Sequence, residues 1–354
     1  MRNYSWEECI APYLRFLNSA FVFERQKTGK KAHLLFVEGI SDLKLYSSFF
    51  ESEPYIQEGK IINLGFDSPK KIQTAFNSQF SKFMKEEPDK KDHVAFVISC
   101  IKKYETIEQM INSIDCFGFI DRDFGHDIAT IKQLEKTTAH DSETNLIRCC
   151  MVSYFEKIKI DKQYALETFT GTVLFCLNQG ILEKTSFDFE KHCLDNKVEF
   201  DAKNMIYLTH SYFKYESSRV CFTDFDFDEY IEEHREAFND VFIDLYHKNK
   251  TEFAHFYKEI PVLLERWLMG KQLEEHEEKR LDKVLSFCNG HMLINQLVLI
   301  EKDLFNIKNN PYFDHNLFVD NLISFLKANG QKFYNLMPLK EYSNFRIKKQ
   351  YLYK

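Results

Sequence analysis

The chain has 354 residues, enough for two domains at the usual size of about 100 to 200 residues each. Its 44% hydrophobic and 29% charged residues exclude a disordered chain, and a formal net charge of -7 means that a polyanion must be met by a local basic patch or by bound cations. The nine cysteines show no CxxC pair and no metal-like spacing, and the adjacent Cys149 and Cys150 are poorly placed to bridge each other, so reduced thiols in a cytoplasmic protein are expected. Neither a signal core after Met1 nor a run of about 18 uninterrupted apolar residues is present, so neither secretion nor a membrane span is expected.

Ser5 and Glu8 form a capping box, and Trp6, Ile10, Tyr13, Leu14, Leu17 and Phe21 recur at helical spacing, which predicts an opening helix within residues 1–30. His33 to Val37 reads as a strand ended by Glu38-Gly39, and Ser41 to Phe50 as a helix. Ile61 to Leu64 and Cys116 to Ile120 repeat the strand signal; Val94 to Ile98 reads equally as strand or helix. A fourth strand is predicted near Leu134 to Thr138, followed by a helix capped by Asp141 or Ser142 that carries Leu146, Ile147, Cys150, Met151, Tyr154 and Phe155 on its apolar face. Alternating strands and helices imply an α/β domain with a mostly parallel sheet over residues 31–160. Residues 161–354 are expected to form a mainly helical domain for substrate, dimer or partner contacts. Its helical periodicity lies in Tyr164 to Leu182, Tyr230 to Tyr246, Pro261 to Leu268, Met292 to Phe305 and Phe313 to Leu326, with Phe187 to Ser211 undecided.

Ligands of an open parallel sheet gather at the carboxyl ends of its strands. Glu38 ends the first predicted strand, and Asp42 lies one helical turn later on the same face. Asp121 and Asp123 follow the Cys116 to Ile120 strand, and Glu143 falls in the first turn of a helix. Carboxylates brought this close raise one another's pKa unless a cation intervenes, and Mg²⁺ or Mn²⁺ suits such oxygen donors. The expected metal ligands are therefore Glu38, Asp42, Asp121, Asp123 and Glu143, with Glu38, Asp121 and Asp123 as the catalytic set.

The runs VEGISD (Val37 to Asp42) and GFIDRDFG (Gly118 to Gly125) resemble the glutamate and DxD motifs of TOPRIM domains. The segment TTAHDSETNLI (Thr137 to Ile147) is similar to the OLD-like nuclease branch of that family, and within it to the TOPRIM effectors of PARIS anti-phage systems. Asn289-Gly290-His291 is similar to a Gly-His element of the same group. The resemblance implies a Rossmann-like fold with helices on both faces of the sheet. It further implies metal-dependent phosphodiester hydrolysis, RNA and tRNA in particular as substrate, and a partner ATPase. A Walker A pattern is absent from the chain itself, so any ATP chemistry falls to that partner.

Plainer readings stand beside these. Arg122 is turned away from the two aspartates by strand alternation, which predicts a structural salt bridge. His140 reads as a hydrogen-bonded structural residue, His291 as a residue at a helix start, and Asp224, Asp226 and Asp228 as a capped approach to the next helix. Arg346, Lys348, Lys349 and Lys354, interleaved with Phe345, Tyr351 and Tyr353, form either a solvated face or a nucleic-acid contact. Alternatives to an RNase are an OLD-type DNA endonuclease and a non-hydrolytic metal-binding regulatory module.

Overall fold

The computed structural model describes residues 32–50, 56–58, 94, 98, 114–122, 124, 134–157, 162–197, 227–233, 235, 238, 240–304 and 315–336. The chain divides into two compact units, one of Met1–Arg122, Asp127–Thr138 and Leu326–Lys354, the other of Asp123–His126 and Ala139–Phe325. The helix that begins at Leu326 is thus grouped with the sheet, and the helix after Asp141 with the helical unit, whereas the divisions expected from the sequence are residues 1–30, 31–160 and 161–354. The expected helix within residues 1–30, the strand at Ile61 to Leu64, Asp123 and the basic C-terminal segment lie outside the described residues.

The first unit holds a parallel sheet of β1 (Ala32–Val37), β2 (Ile56–Glu58), β3 (Ile114–Ile120) and β4 (Leu134–Lys136), in the order β2-β1-β3-β4. Every described pairing is parallel. The two inner strands are buried in a near-continuous apolar run through Leu35, Phe36 and Val37 and through Phe117, Phe119 and Ile120, the pattern of strands covered on both sides. Helix α1 (Ile40–Phe49) follows β1 directly. It sets the Tyr46 ring edge-on to Phe119 at 5.0 Å and Phe49 edge-on to Phe333 at 4.9 Å. Val94 and Ile98, helical in the structure, lie against the next position along β3: a Cβ on Gly118 would stand 2.9 Å from Val94 and 2.6 Å from Leu134. Neighbouring residues of a strand point to opposite faces, so helix covers β3 on both, and glycine at 118 makes the close approach possible.

All described elements of the second unit are helical: α2 (Ser142–Lys157), α3 (Lys162–Asn196), α4 (Phe227–Glu233), α5 (Asp240–Ala254), α6 (Ile260–Leu268), α7 (Glu275–Leu285), α8 (Gly290–Leu304) and α9 (His315–Ser324). A further helix, α10 (Leu326–Leu336), supplies Phe333 to the first unit. Helix α3 is the axis of the helical unit and packs against α5, α6, α7 and α8. It runs 35 residues without a break, joining the predicted Tyr164 to Leu182 helix to part of the undecided stretch. Gly180 sits where a Cβ would come 1.8 Å from the Phe287 carbonyl oxygen, so this helix is crossed closely by the backbone before α8. The expected helix at Tyr230 to Tyr246 is two, α4 and α5, tied by Asp228, which accepts the Tyr246 hydroxyl at 3.1 Å and pairs with Lys250. No described helix is long and apolar enough to cross a membrane.

Candidate catalytic centre

Strand order places the reversal of the sheet between β1 and β3, since β2 lies on one side of β1 and the later strands on the other. Such a switch point opens a crevice beyond the carboxyl ends of the two strands. Glu38 follows β1 and Asp121 follows β3, and the Asp121 N–H donates to Glu38 Oε1 at 2.6 Å. Glu38 is 8% exposed, which keeps this carboxylate shielded beside a half-buried Asp121. Asp42 is buried in the first turn of α1, and its Oδ2 accepts the Gly39 N–H at 3.1 Å. The bond closes the turn that carries Glu38 out of β1 and satisfies one donor at the helix N-terminus. Thus Glu38, Asp42 and Asp121 collect at one edge of the sheet unit.

The next residue, Arg122, departs from expectation. Its N–H donates to Thr137 Oγ1 at 3.0 Å and its Nη1 to the Thr138 carbonyl at 3.1 Å, and among the described residues no carboxylate pairs with it. In place of the expected salt bridge the guanidinium makes a carbonyl contact to the segment after β4. Thr138 is held in turn by its hydroxyl, which donates to the Leu336 carbonyl at 3.0 Å at the end of α10.

Glu143 belongs to the helical unit. There the N-termini of α2 and α8 converge on the buried Asp141, which caps α2: its Oδ1 accepts the Thr144 N–H and hydroxyl, both at 2.7 Å, and its Oδ2 accepts the Gly290 N–H at 2.6 Å. Burial alone would raise the Asp141 carboxyl, but His140 beside it and the Thr144 bonds hold it below the usual carboxylate range. His140, 2% exposed, spans Asp141 and Glu183 with ring nitrogens 3.5 and 3.7 Å from their oxygens, and Phe124 meets its ring edge-on at 5.4 Å. A Cβ on Gly290 would stand 2.2 Å from Asp141 Oδ1, so only glycine brings the two helix starts this close. Asn289 caps α8 by accepting the Met292 N–H at 3.1 Å, and the following His291 puts Nε2 3.5 Å from the buried Glu143 Oε1. Glu143 therefore faces a histidine in an anion-favouring corner of the helical unit. Asp141 as the bridge between two helices 149 residues apart was not foreseen, because nothing local in the sequence signals the Gly290 contact.

The donor chemistry at the sheet edge fits a hard divalent cation: the groups are carboxylates, and one oxygen each of Glu38 and Asp42 is already oriented by a backbone N–H. Among the described residues, no cluster of three or more His, Cys, Asp or Glu side chains has the spacing of a complete metal site. Comparison of the chain with protein-family models, with curated proteins and with solved structures finds no match in any of the three.

Proposed function

We propose that the chain is a TOPRIM-type, divalent-metal-dependent endonuclease that hydrolyses phosphodiester bonds, acting on RNA, with tRNA as the expected class, under the control of a partner ATPase. The observation that carries this reading is the bond from the Asp121 backbone N–H to Glu38 Oε1 at the switch point of the parallel sheet, which brings together the ends of the two strands that carry the motif residues. In this reading the motif carboxylates Glu38, Asp42, Asp121 and Asp123 would hold Mg²⁺ or Mn²⁺. A bound cation there supplies charge stabilisation to phosphoryl oxygens. Glu38, oriented by the Asp121 N–H, is the group that accepts a proton from the attacking water. Asp42 fixes the turn that presents Glu38, and water rather than a side chain is the nucleophile. An OLD-type DNA endonuclease differs from this reading only in substrate.

The test is cleavage of end-labelled tRNA and of supercoiled plasmid, with Mg²⁺ or Mn²⁺ and with chelator, by the wild type and by Asp121→Asn combined with Asp123→Asn. The double variant keeps side-chain volume and loses two ligand charges. Metal-dependent cleavage by the wild type and a loss of at least about a hundredfold in the variant are expected. Full activity in the variant would remove these carboxylates from the centre, and cleavage of plasmid alone would move the substrate to DNA. A wild type that binds metal but cuts neither would leave the regulatory-module reading.

A further inference from the structure

Among the described residues, the other four arginines follow a rule that Arg122 breaks. Arg148 pairs with Glu278 and Asp282, Arg235 with Glu232, Arg266 with Glu277 and Arg280 with Glu259. Among the described residues Arg122 is the only arginine whose guanidinium faces a backbone carbonyl and no carboxylate. It is also exposed, and it follows directly on Asp121, whose own N–H is spent on Glu38. A carbonyl contact orients the group without neutralising it. One of its five N–H donors is committed, and the planar fork that remains matches two oxygens of a phosphate.

From this arrangement we infer that Arg122 binds a phosphate of the nucleic-acid substrate and seats the chain beside Glu38 and Asp121; the inference rests on the reading of that edge as a nuclease centre. The sheet edge then carries, in order across β1, β3 and the segment after β4, a carboxylate, a carboxylate, a guanidinium and the threonine pair that braces it. With a net charge of -7 the protein attracts a polyanion only through such local cations. The brace is stiff: Thr137 is buried and accepts the Arg122 N–H, and Thr138 is fastened to the end of α10. A guanidinium so held loses less freedom on meeting a phosphate than one on a mobile loop.

The experiment uses the full chain and a fluorescein-labelled, unstructured RNA oligonucleotide. Binding is measured by anisotropy between 50 and 200 mM NaCl, and cleavage in Mg²⁺, for wild type, Arg122→Gln, Arg122→Lys and Glu38→Gln. Arg122→Gln is expected to weaken binding about tenfold and to make the slope of log K against log salt shallower by about 0.7, the value of one phosphate contact on a single strand. Its loss falls on KM more than on kcat. Arg122→Lys restores the slope but not the full affinity, because an ammonium lacks the fork. Glu38→Gln loses cleavage while binding RNA with the wild-type slope. If Arg122→Gln keeps the wild-type affinity and slope while Glu38→Gln is dead, Arg122 is not a phosphate ligand and the nuclease reading survives. If Arg122→Gln melts earlier and loses kcat and KM together at an unchanged slope, Arg122 is only a brace for Thr138. If Glu38→Gln cleaves normally, the nuclease centre is misplaced, and a wild-type slope in Arg122→Gln would then sink the phosphate contact with it.

Discussion

Replacing Asp141 tests how the helical unit holds Glu143. The carboxylate accepts three hydrogen bonds, two from Thr144 at the start of α2 and one from the Gly290 N–H at the start of α8, in full burial. Asp141→Ala removes all three and leaves the Thr144 and Gly290 N–H groups buried without acceptors. A charged acceptor contributes about 1.5–3 kcal/mol per bond and an orphaned donor costs about 1–3 kcal/mol, partly offset because a charge no longer has to be buried. A net loss of about 3–5 kcal/mol is the reasonable balance for a broken buried network. At roughly 2–4 °C per kcal/mol for a unit of this size, the melting temperature should fall by about 10 °C. Asp141→Asn keeps one oxygen and turns an NH₂ toward either Thr144 or Gly290, so it should lose about half as much. The wild type carries a pH signature as well. Because the folded carboxyl lies below its unfolded value, its contribution is fully present above about pH 4 and is lost as the pH falls through the folded pKa. The difference in stability between wild type and Asp141→Asn, followed by denaturant titration, should therefore shrink on acidification below about pH 4. An Asp141→Ala protein that melts within 2 °C of wild type, or a difference indifferent to acid, would refute this account of the α2–α8 junction.

Two further outcomes are expected. Gly180→Ala should destabilise the helical unit by at least about 2 kcal/mol although alanine is the better helix former, because its Cβ would lie 1.8 Å from the Phe287 carbonyl oxygen; a chemical melt showing a gain instead would mean the crossing is not tight. Cys176 and Cys288 are fully buried, with burial pushing both thiols well above their usual range, so neither should react with N-ethylmaleimide before global unfolding; rapid labelling of either in the native protein, read by mass spectrometry, contradicts the packing.

What the sequence disclosed and concealed divides along physical lines. Strands β1 and β3 were legible because inner parallel strands are continuous apolar runs, whereas β2 is three residues, Ile-Gln-Glu, with no pattern to see. Helix α7 escaped notice for the opposite reason. Its sequence EHEEKRLDKVL has few apolar positions, and it is held by partners remote in the chain: Glu278 and Asp282 by Arg148, Glu277 by Arg266, and Lys283 by Glu252. The Arg148 guanidinium is partly desolvated, yet the two carboxylates raise its pKa, and Trp267 lies 5.6 Å beneath it. No local periodicity reports such a contact. Helix α3 passed Gly180 unbroken because that glycine serves an approach from Phe287, which propensity alone cannot reveal. At the sheet edge, Glu38 and Asp121 could be found by asking which carboxylates end strands. Arg122 could not be read correctly, since alternation gives a direction and only the fold gives the partner.

The meeting of Glu38 with Asp121 depends on register. In β1 and β3 Phe36 pairs with Gly118, and continuing this parallel register by two places sets Glu38 beside Ile120, one residue short of the N–H it accepts. A slip of one residue would move the Asp121 N–H by about 3.3 Å and turn successive side chains to the opposite face, which separates the pair. The register is held by packing remote from the carboxylates. Phe119 faces Tyr46, and Gly118 faces Val94 and Leu134, whose side chains would have to shift to admit even a Cβ. Exchanging these two positions by a slip would drive a phenyl ring against the Val94 and Leu134 side chains, which already crowd a single Cβ. The same apolar contacts that fold the sheet unit therefore set the geometry of its acidic edge, so a Gly118 substitution that leaves every carboxylate in place should still disturb the Glu38–Asp121 bond.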